Sequence, residues 1–385
     1  MRTIFKLFAI LIFTYSNAQN FQTQKIVVDL LTKLPLENVI ISNQKDYSTT
    51  NIDGKFIFVS ANKAINLNLL GYENIETTFD DLKNSKDTIF MQQKTIQLSE
   101  IIVGNSAAYV QKVYDRIKDN LIGNYTIDFF LRNVLKQEKE TIVLQDLSGK
   151  KNQNISSKDK ISIEILNMRK VKLYDKKEGI DFKFQNFEEI SNLVAPSPSG
   201  CNFTEIAFND ENYKKIEFES KNKNTQGLGI KGYLVINKKD LAIVEFKMSS
   251  DIDTDLLPYS KFMLSKVKYR TPEWTKHIKF IKDVASNKYY PVSLKMDVKV
   301  EVVTDKKSFY FNNSIDLFTT SAPRDEKIIP NFSTDKDLFK AKFIYSADFW
   351  KSQNQLPLTK ELDTFLKVVA DKKDKTKEYE VTGNF

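Results

Sequence analysis

The sequence predicts a mainly β protein. It has an N-terminal seven-stranded β-sandwich, a connecting amphipathic helix, and a C-terminal domain built on a large antiparallel sheet. Three observations predict this. Short apolar runs with period-2 alternation recur between residues 23 and 92, separated by turn residues roughly every eight to twelve positions. The segment Ala107 to Leu121 instead repeats its apolar residues at helical spacing. Val292 to Val302 alternates without a break: Val292, Leu294, Met296, Val298, Val300 and Val302 stand against Ser293, Lys295, Asp297, Lys299 and Glu301. That is the pattern of a long antiparallel strand with one buried and one wet face.

The chain has 385 residues, 41% of them hydrophobic, enough for a sizeable core and more than one domain. Its segments are residues 1–18 (leader), 19–95 (sandwich), 96–128 (linker and helix), 129–370 (β-rich domain) and 371–385 (polar tail). The leader reads as a secretory signal. Arg2 and Lys6 form a basic start, Leu7 to Phe13 an apolar run, and Ser16-Asn17-Ala18 a small-residue cleavage site before Gln19. The apolar run is short for a membrane span, and no cysteine follows it to take a lipid. The expected address is therefore the periplasm, or the periplasmic or outer face of the outer membrane, with no transmembrane segment in the mature chain.

In the sandwich, Ile26-Val27-Val28 opens the first strand and Leu34-Pro35-Leu36 turns it. Val39 to Ile41 and the threonine-rich Tyr47 to Asn51 follow. Asp53-Gly54 is a turn signal, because glycine adopts positive φ without steric cost. Phe56 to Val59, Ala64 to Leu70 and Thr88 to Met91 complete the set, with Gly71-Tyr72 ending the middle one. Val28-Asp29, Thr32, Pro35-Leu36, Asn38-Val39, Thr49-Thr50, Asp53-Gly54-Lys55-Phe56 and Gly71-Tyr72-Glu73 stand in the order of the carboxypeptidase-like regulatory domain, which this segment resembles. The family usually has glycine at the start of the first strand, where this chain has Gln24-Lys25. The resemblance implies a transthyretin-like (prealbumin-like) sandwich, common at the N-terminus of Gram-negative envelope proteins, that performs no chemistry itself. In metallocarboxypeptidases the catalytic neighbour holds zinc with two histidines and a glutamate. This chain has only His277.

Gln97 to Val103 resembles the link that follows such a domain in outer-membrane receptors, but the remaining length is too short for a receptor's plug and large barrel. In the helix, Val110, Val113, Tyr114, Ile117 and Leu121 form a core-facing stripe, and Gly123 stops it. The order helix, Asn124-Tyr125, strand also recurs after the regulatory domain in exported members of the family. Beyond it, Tyr233 to Ile236 and Leu241 to Met248 flank a hairpin loop at Asn237 to Asp240. Phe262 to Tyr269, His277 to Ile281 and Ser308 to Phe318 add strands, giving an up-and-down sheet of six. Such a sheet covers its apolar face with helices, a second sheet or a ligand; at fold level the strand order is similar to half-barrels wrapped on a helix, of the lipoprotein-carrier type. Residues 149–161 and Ala195 to Gly200 read as loops, the second a crossover. Asp348-Phe349-Trp350 followed by Asn354 resembles a closing segment of envelope proteins. Lys372 to Lys375 begins a solvated tail.

One histidine and one cysteine exclude a disulfide framework within the chain and His/Cys zinc sites. His277 is expected to be a structurally satisfied side chain, because no Gly-x-Ser-x-Gly elbow supplies a nucleophile. Asp251, Asp253 and Asp255 have calcium-loop spacing but lack the turn glycine and the closing glutamate. Cys201 has no partner within the chain and is read as a buried or lone thiol, with an intermolecular disulfide as the alternative. The net charge of +8 (+6 without Arg2 and Lys6) comes from scattered lysines. With so few arginines it gives no support for nucleic-acid binding. No catalytic, cofactor-binding or metal residue is expected, and no cofactor. The expected function is a non-enzymatic exported envelope protein acting in binding or scaffolding. Its expected partner is an envelope or outer-membrane protein, a glycan or a lipid. The alternatives are a periplasmic carrier of an apolar or acyl ligand in the C-terminal sheet, and a carboxylate-based hydrolase.

Overall fold

The computed structural model describes residues 20–95, 105–154, 161–174, 184–192, 195–261, 266–371 and 377–385. The leader, the link at 97–103 and Lys372 to Lys375 lie outside these residues.

The N-terminal strands are β1 (Phe21–Asp29), β2 (Ile40–Ser42), β3 (Tyr47–Thr49), β4 (Lys55–Ser60), β5 (Ala64–Asn68), β6 (Ile75–Thr78) and β7 (Thr88–Met91). They form two sheets, ordered β4-β1-β7 and β3-β2-β5-β6. The alternating apolar residues meet between the sheets: Val27, Val39, Ile41, Phe56, Phe58, Ile65, Leu67 and Met91 share one core. A short helix, α1 (Phe79–Asn84), was not legible in the sequence. Thr78 caps it by accepting from the Asp81 amide, and Phe79 stacks on Phe58 at 5.6 Å. Gly54 has φ +71°, and a Cβ there would meet the Val27 carbonyl at 2.4 Å, so both conformation and space require glycine. Lys25 of β1 is buried. Its ammonium donates to the Ser85 and Lys86 carbonyls and thereby fixes the approach to β7.

The connecting helix is two pieces, α2 (Ser106–Asp115) and α3 (Ile117–Asn120), interrupted at Arg116. Val110 and Val113 face the core as the stripe requires. The C-terminal sheet has twelve strands where the sequence reading gave six. They are β8 (Asn124–Gln137), β9 (Glu140–Asn154), β10 (Ile161–Tyr174), β11 (Cys201–Ile206), β12 (Tyr213–Ser220), β13 (Leu228–Asn237), β14 (Ala242–Ile252), β15 (Ser260–Lys261), β16 (Lys268–Lys282), β17 (Tyr289–Val303), β18 (Ser308–Thr319) and β19 (Glu378–Thr382). The order is β11-β12-β13-β14-β16-β17-β18-β8-β9-β10-β19, with β15 on β16.

Two loop assignments are corrected. Residues 149–154 continue β9, and Ile161 opens β10. Gly149 is there because the strands approach closely: a Cβ would meet the Glu164 carbonyl at 2.2 Å, just before a bulge at Ile165/Asn167. The tail is not solvated at its end, because β19 adds to the edge of β10 and Phe385 packs with Val134, Leu144 and Leu362. Ala195 to Gly200 lies on the crossover from β10 to β11, which are far apart in the sheet order.

The sheet has two covered faces. The inner one carries α2, α4 (Phe187–Ser191), Phe332, Leu338 and Ala341 over Phe129, Leu131, Leu147, Ile278, Leu294 and Ile315. The outer one carries the sandwich and the closing segment. Here the Ser293, Lys295 and Asp297 side of β17, expected to be wet, faces the sandwich. Tyr47 donates its amide to the Thr320 carbonyl, and Ala322 donates to the Lys45 carbonyl at 2.7 Å. Among the described residues no helix is long and apolar enough to cross a membrane.

The closing segment is held by a buried ion cluster. Asp146, fully buried on β9, accepts a two-toothed fork from Arg132 (2.8 and 2.8 Å) and two bonds from Arg169 (2.9 and 2.7 Å). Burial alone would raise the Asp146 carboxyl. The two guanidinium groups outweigh it and hold it below the usual carboxylate range. The arginines also reach the chain beyond α5 (Ala347–Lys351): Arg132 donates to the Leu356 and Pro357 carbonyls, Arg169 to Gln355, and Arg169 stacks on Trp350 at 4.4 Å. The Pro357 carbonyl also accepts from Asn51 of the sandwich, while Asn354 makes two bonds to the Val59 main chain.

Asp146→Asn strips the cluster of its charge balance and should lower unfolding free energy by about 3–5 kcal/mol, as removal of one partner from a buried ion cluster does. Lys367→Ala, which breaks an exposed pair with Asp363, should stay within about 0.5 kcal/mol of wild type. Urea denaturation of both variants checks the contrast.

Candidate functional site

Two cavities flank the middle of the large sheet, one on each face. The inner cavity, about 980 Å³, lies between the sheet and α4 with the chain at 330–334. Strands β8, β9, β10, β16, β17 and β18 floor it, and most of its wall is apolar: Ile127, Ile163, Ile278, Leu294 and Phe332 are among its lining.

The polar part of the lining includes Lys151, Gln153, Glu188, Glu189 and Asn192. Strand periodicity sends Leu147, Gly149 and Lys151 to the same face. In register, Lys151 sits between Ile127 of β8 and Ile163 of β10, both buried. The side chain is 4% exposed and makes no hydrogen bond or ion pair among the described residues. Burial alone lowers its ammonium to about 8. Nearby Lys276 is equally buried but partnered, donating to the Glu189 and Asn192 carbonyls (2.9 and 2.5 Å) at the C-terminal end of α4. Burial, then the charge of Lys151, lowers it to about 8 as well.

The outer cavity, about 480 Å³, is the cleft between the sandwich, β17/β18 and the closing segment. It is polar. Lys295 donates to Glu37 at 2.5 Å, and Ser314 donates to Asp297 at 2.6 Å. Asp316 stands opposite Lys295, diagonal to Asp297. Burial raises its carboxyl to about 6. Glu37 and Asp297 push the same way, against Lys295 and Arg132. Among the described residues, no group of three or more His, Cys, Asp or Glu side chains is placed to hold a metal.

The residues singled out from sequence fall elsewhere. His277 donates from Nε2 to Glu245 at 2.8 Å, and the Tyr233 hydroxyl donates to the same oxygen at 2.7 Å. Burial would raise the Glu245 carboxyl, but His277, Lys279 and Tyr233 together lower it to about 2. Asp251 pairs with Lys223 at 3.3 Å, and Asp253 accepts from the Asp255 amide in a turn. Cys201 is a free thiol in the inner core. Neither Lys151 nor Asp316 was singled out, because each sits in a stretch whose local composition reads as a polar loop or a wet strand face.

The pH dependence of stability follows from Asp316. At low pH, folded and unfolded chains both hold its proton. Between the ordinary value of 3.8 and about 6 only the folded chain does, so this group's contribution to stability falls as pH rises through that window. Above it the cost is fully present. Asp316→Asn should stabilise the protein at pH 8 by on the order of 1–3 kcal/mol and have little effect at pH 4; denaturation curves at the two pH values test this.

No protein-family model matches the chain, and no curated protein matches it. Comparison with solved structures returns lipovitellin, in a structure concerned with lipid–protein interactions. The TM-score is 0.25 and the identity 7%, over 57% of this chain and 27% of that one. A likeness at that level carries no argument about this chain.

Proposed function

We propose that this chain is a non-enzymatic, exported envelope protein that binds an apolar, acyl-type ligand against the inner face of its large sheet. The N-terminal sandwich, of the carboxypeptidase-like regulatory type, serves as a structural module. The observation that carries the reading is the cavity of about 980 Å³, in which Ile127, Ile163, Ile278, Leu294 and Phe332 form an apolar part of the wall. Its volume is that of a small-molecule site. The sandwich assignment is supported by seven strands in two sheets and by the Asp53-Gly54 turn. The leader supports export.

Full-length protein stripped of bound lipid should bind hexadecanol with a rise in unfolding temperature. Ile161→Trp, which places an indole in the cavity from a half-buried wall position, should weaken that binding by about tenfold or more, about 1.4 kcal/mol. Native mass spectrometry of the stripped and reloaded protein reads the stoichiometry. A protein that stays empty with every apolar probe contradicts the reading.

A second reading, a carboxylate-based hydrolase, is favoured by one observation: Asp297 and Asp316 share the outer cleft, one of them with a raised carboxyl. It requires that a glycan substrate be turned over and that Asp297→Asn and Asp316→Asn each abolish turnover. Equal activity in either variant removes it.

A further inference from the structure

We propose that Lys151 is the head-group receptor of the inner cavity, and that the ligand is an amphiphilic anion: a single apolar chain ending in a carboxylate or phosphate. This rests on the acyl-binding reading above and specifies its chemistry.

An ammonium held against apolar groups is destabilised unless something compensates it, and fold stability gives no reason to keep one. Lys151 lies in a row with Ile127 and Ile163, where methionine or leucine would fill the same volume without that cost. Two protein carboxylates, Glu188 and Glu189, line the same cavity, and neither forms an ion pair with Lys151. Glu188 accepts from the Thr334 hydroxyl at 2.7 Å, and Glu189 accepts from Asn186. Lys276 is already committed to two carbonyls and feels the opposing charge of Glu189, so it does not serve Lys151 as a partner. Lys151 therefore presents at the cavity wall an ammonium that no carboxylate pairs with among the described residues. An anionic head group beside it supplies the missing charge and hydrogen bonds, while the attached chain covers the isoleucine, leucine and phenylalanine wall. A neutral chain would cover the wall but leave the ammonium unpaired, and a small inorganic anion would do the reverse. The combination selects an amphiphile with both parts.

The test compares palmitate, hexadecyl phosphate and hexadecanol on the full-length wild type and on Lys151→Met and Lys151→Arg. The expected result is that at least one anionic probe binds wild type about tenfold or more tighter than the alcohol. Lys151→Met should bring that probe down to the affinity of the alcohol, leave alcohol binding intact and raise the unfolding temperature of the empty protein. Lys151→Arg should keep the preference. Which anion gains more identifies the head as carboxylate or phosphate. If wild type binds all three probes equally, or Lys151→Met keeps the preference, the head-group role is wrong while the acyl-binding reading stands. If none of the three binds, both fall. The wild-type comparison decides the matter even if a variant does not fold.

Discussion

The architecture depends on the fully buried carboxylate of Asp146. It is an acid that the interior would expel were it not forked by Arg132 and flanked by Arg169. Neither arginine spends all its donors on Asp146. The remaining N–H groups hold Gln355, Leu356 and Pro357, and through the shared Pro357 carbonyl the sandwich is tied to the same point. A hydrophobic replacement of equal volume would serve the packing of the sheet, but it could not orient three backbone and side-chain acceptors in a segment that has no regular structure of its own. The ion cluster acts here as a geometric device that sets where the second domain sits. That placement turns the polar side of β17 from a solvated surface into a cleft.

The two faces of the sheet differ in how their charges are partnered. Outside, charges are numerous and mutually compensating: Lys295 with Glu37, Lys279 with the Asn38 carbonyl, Arg324 with Asp128 and Glu326. This is the chemistry of a domain contact that must be specific without being greasy. Inside, apolar side chains share the wall with Glu188, Glu189 and Lys151, and of these charges Lys151 makes no hydrogen bond or ion pair among the described residues. A core built for stability alone would not place an ammonium there, and the proposed ligand chemistry starts from it.

Much of the fold was legible in the sequence, for a physical reason. The sandwich strands and β17 have one apolar and one polar face, so period-2 alternation reports them directly. β9 and β10 were misread because they are polar on both faces in part of their length. Asp146, Lys150 and Asn152 serve the outer contacts, while Lys151 and Gln153 line the inner cavity. Gly149-Lys150-Lys151-Asn152 then has the composition of a loop, although Gly149 answers a close strand approach and Lys151 is buried. β19 escaped because Glu378 and Glu380 lie on an edge strand, where charge is tolerated and the pairing partner is about two hundred residues away in sequence. The candidate site was not legible at all, since six strands and a short helix contribute to it. The single histidine, His277, pairs with Glu245, and nothing in the local composition points to a lysine.

The central claim is that the inner cavity is a ligand chamber whose polar end is Lys151. A crystal structure of the full-length protein purified from envelope membranes without stripping tests it most directly. The account expects elongated density along Ile127, Ile163 and Leu294, ending within hydrogen-bonding distance of the Lys151 Nζ. A chamber filled by the protein's own side chains, with Lys151 paired to one of its own carboxylates, would contradict it.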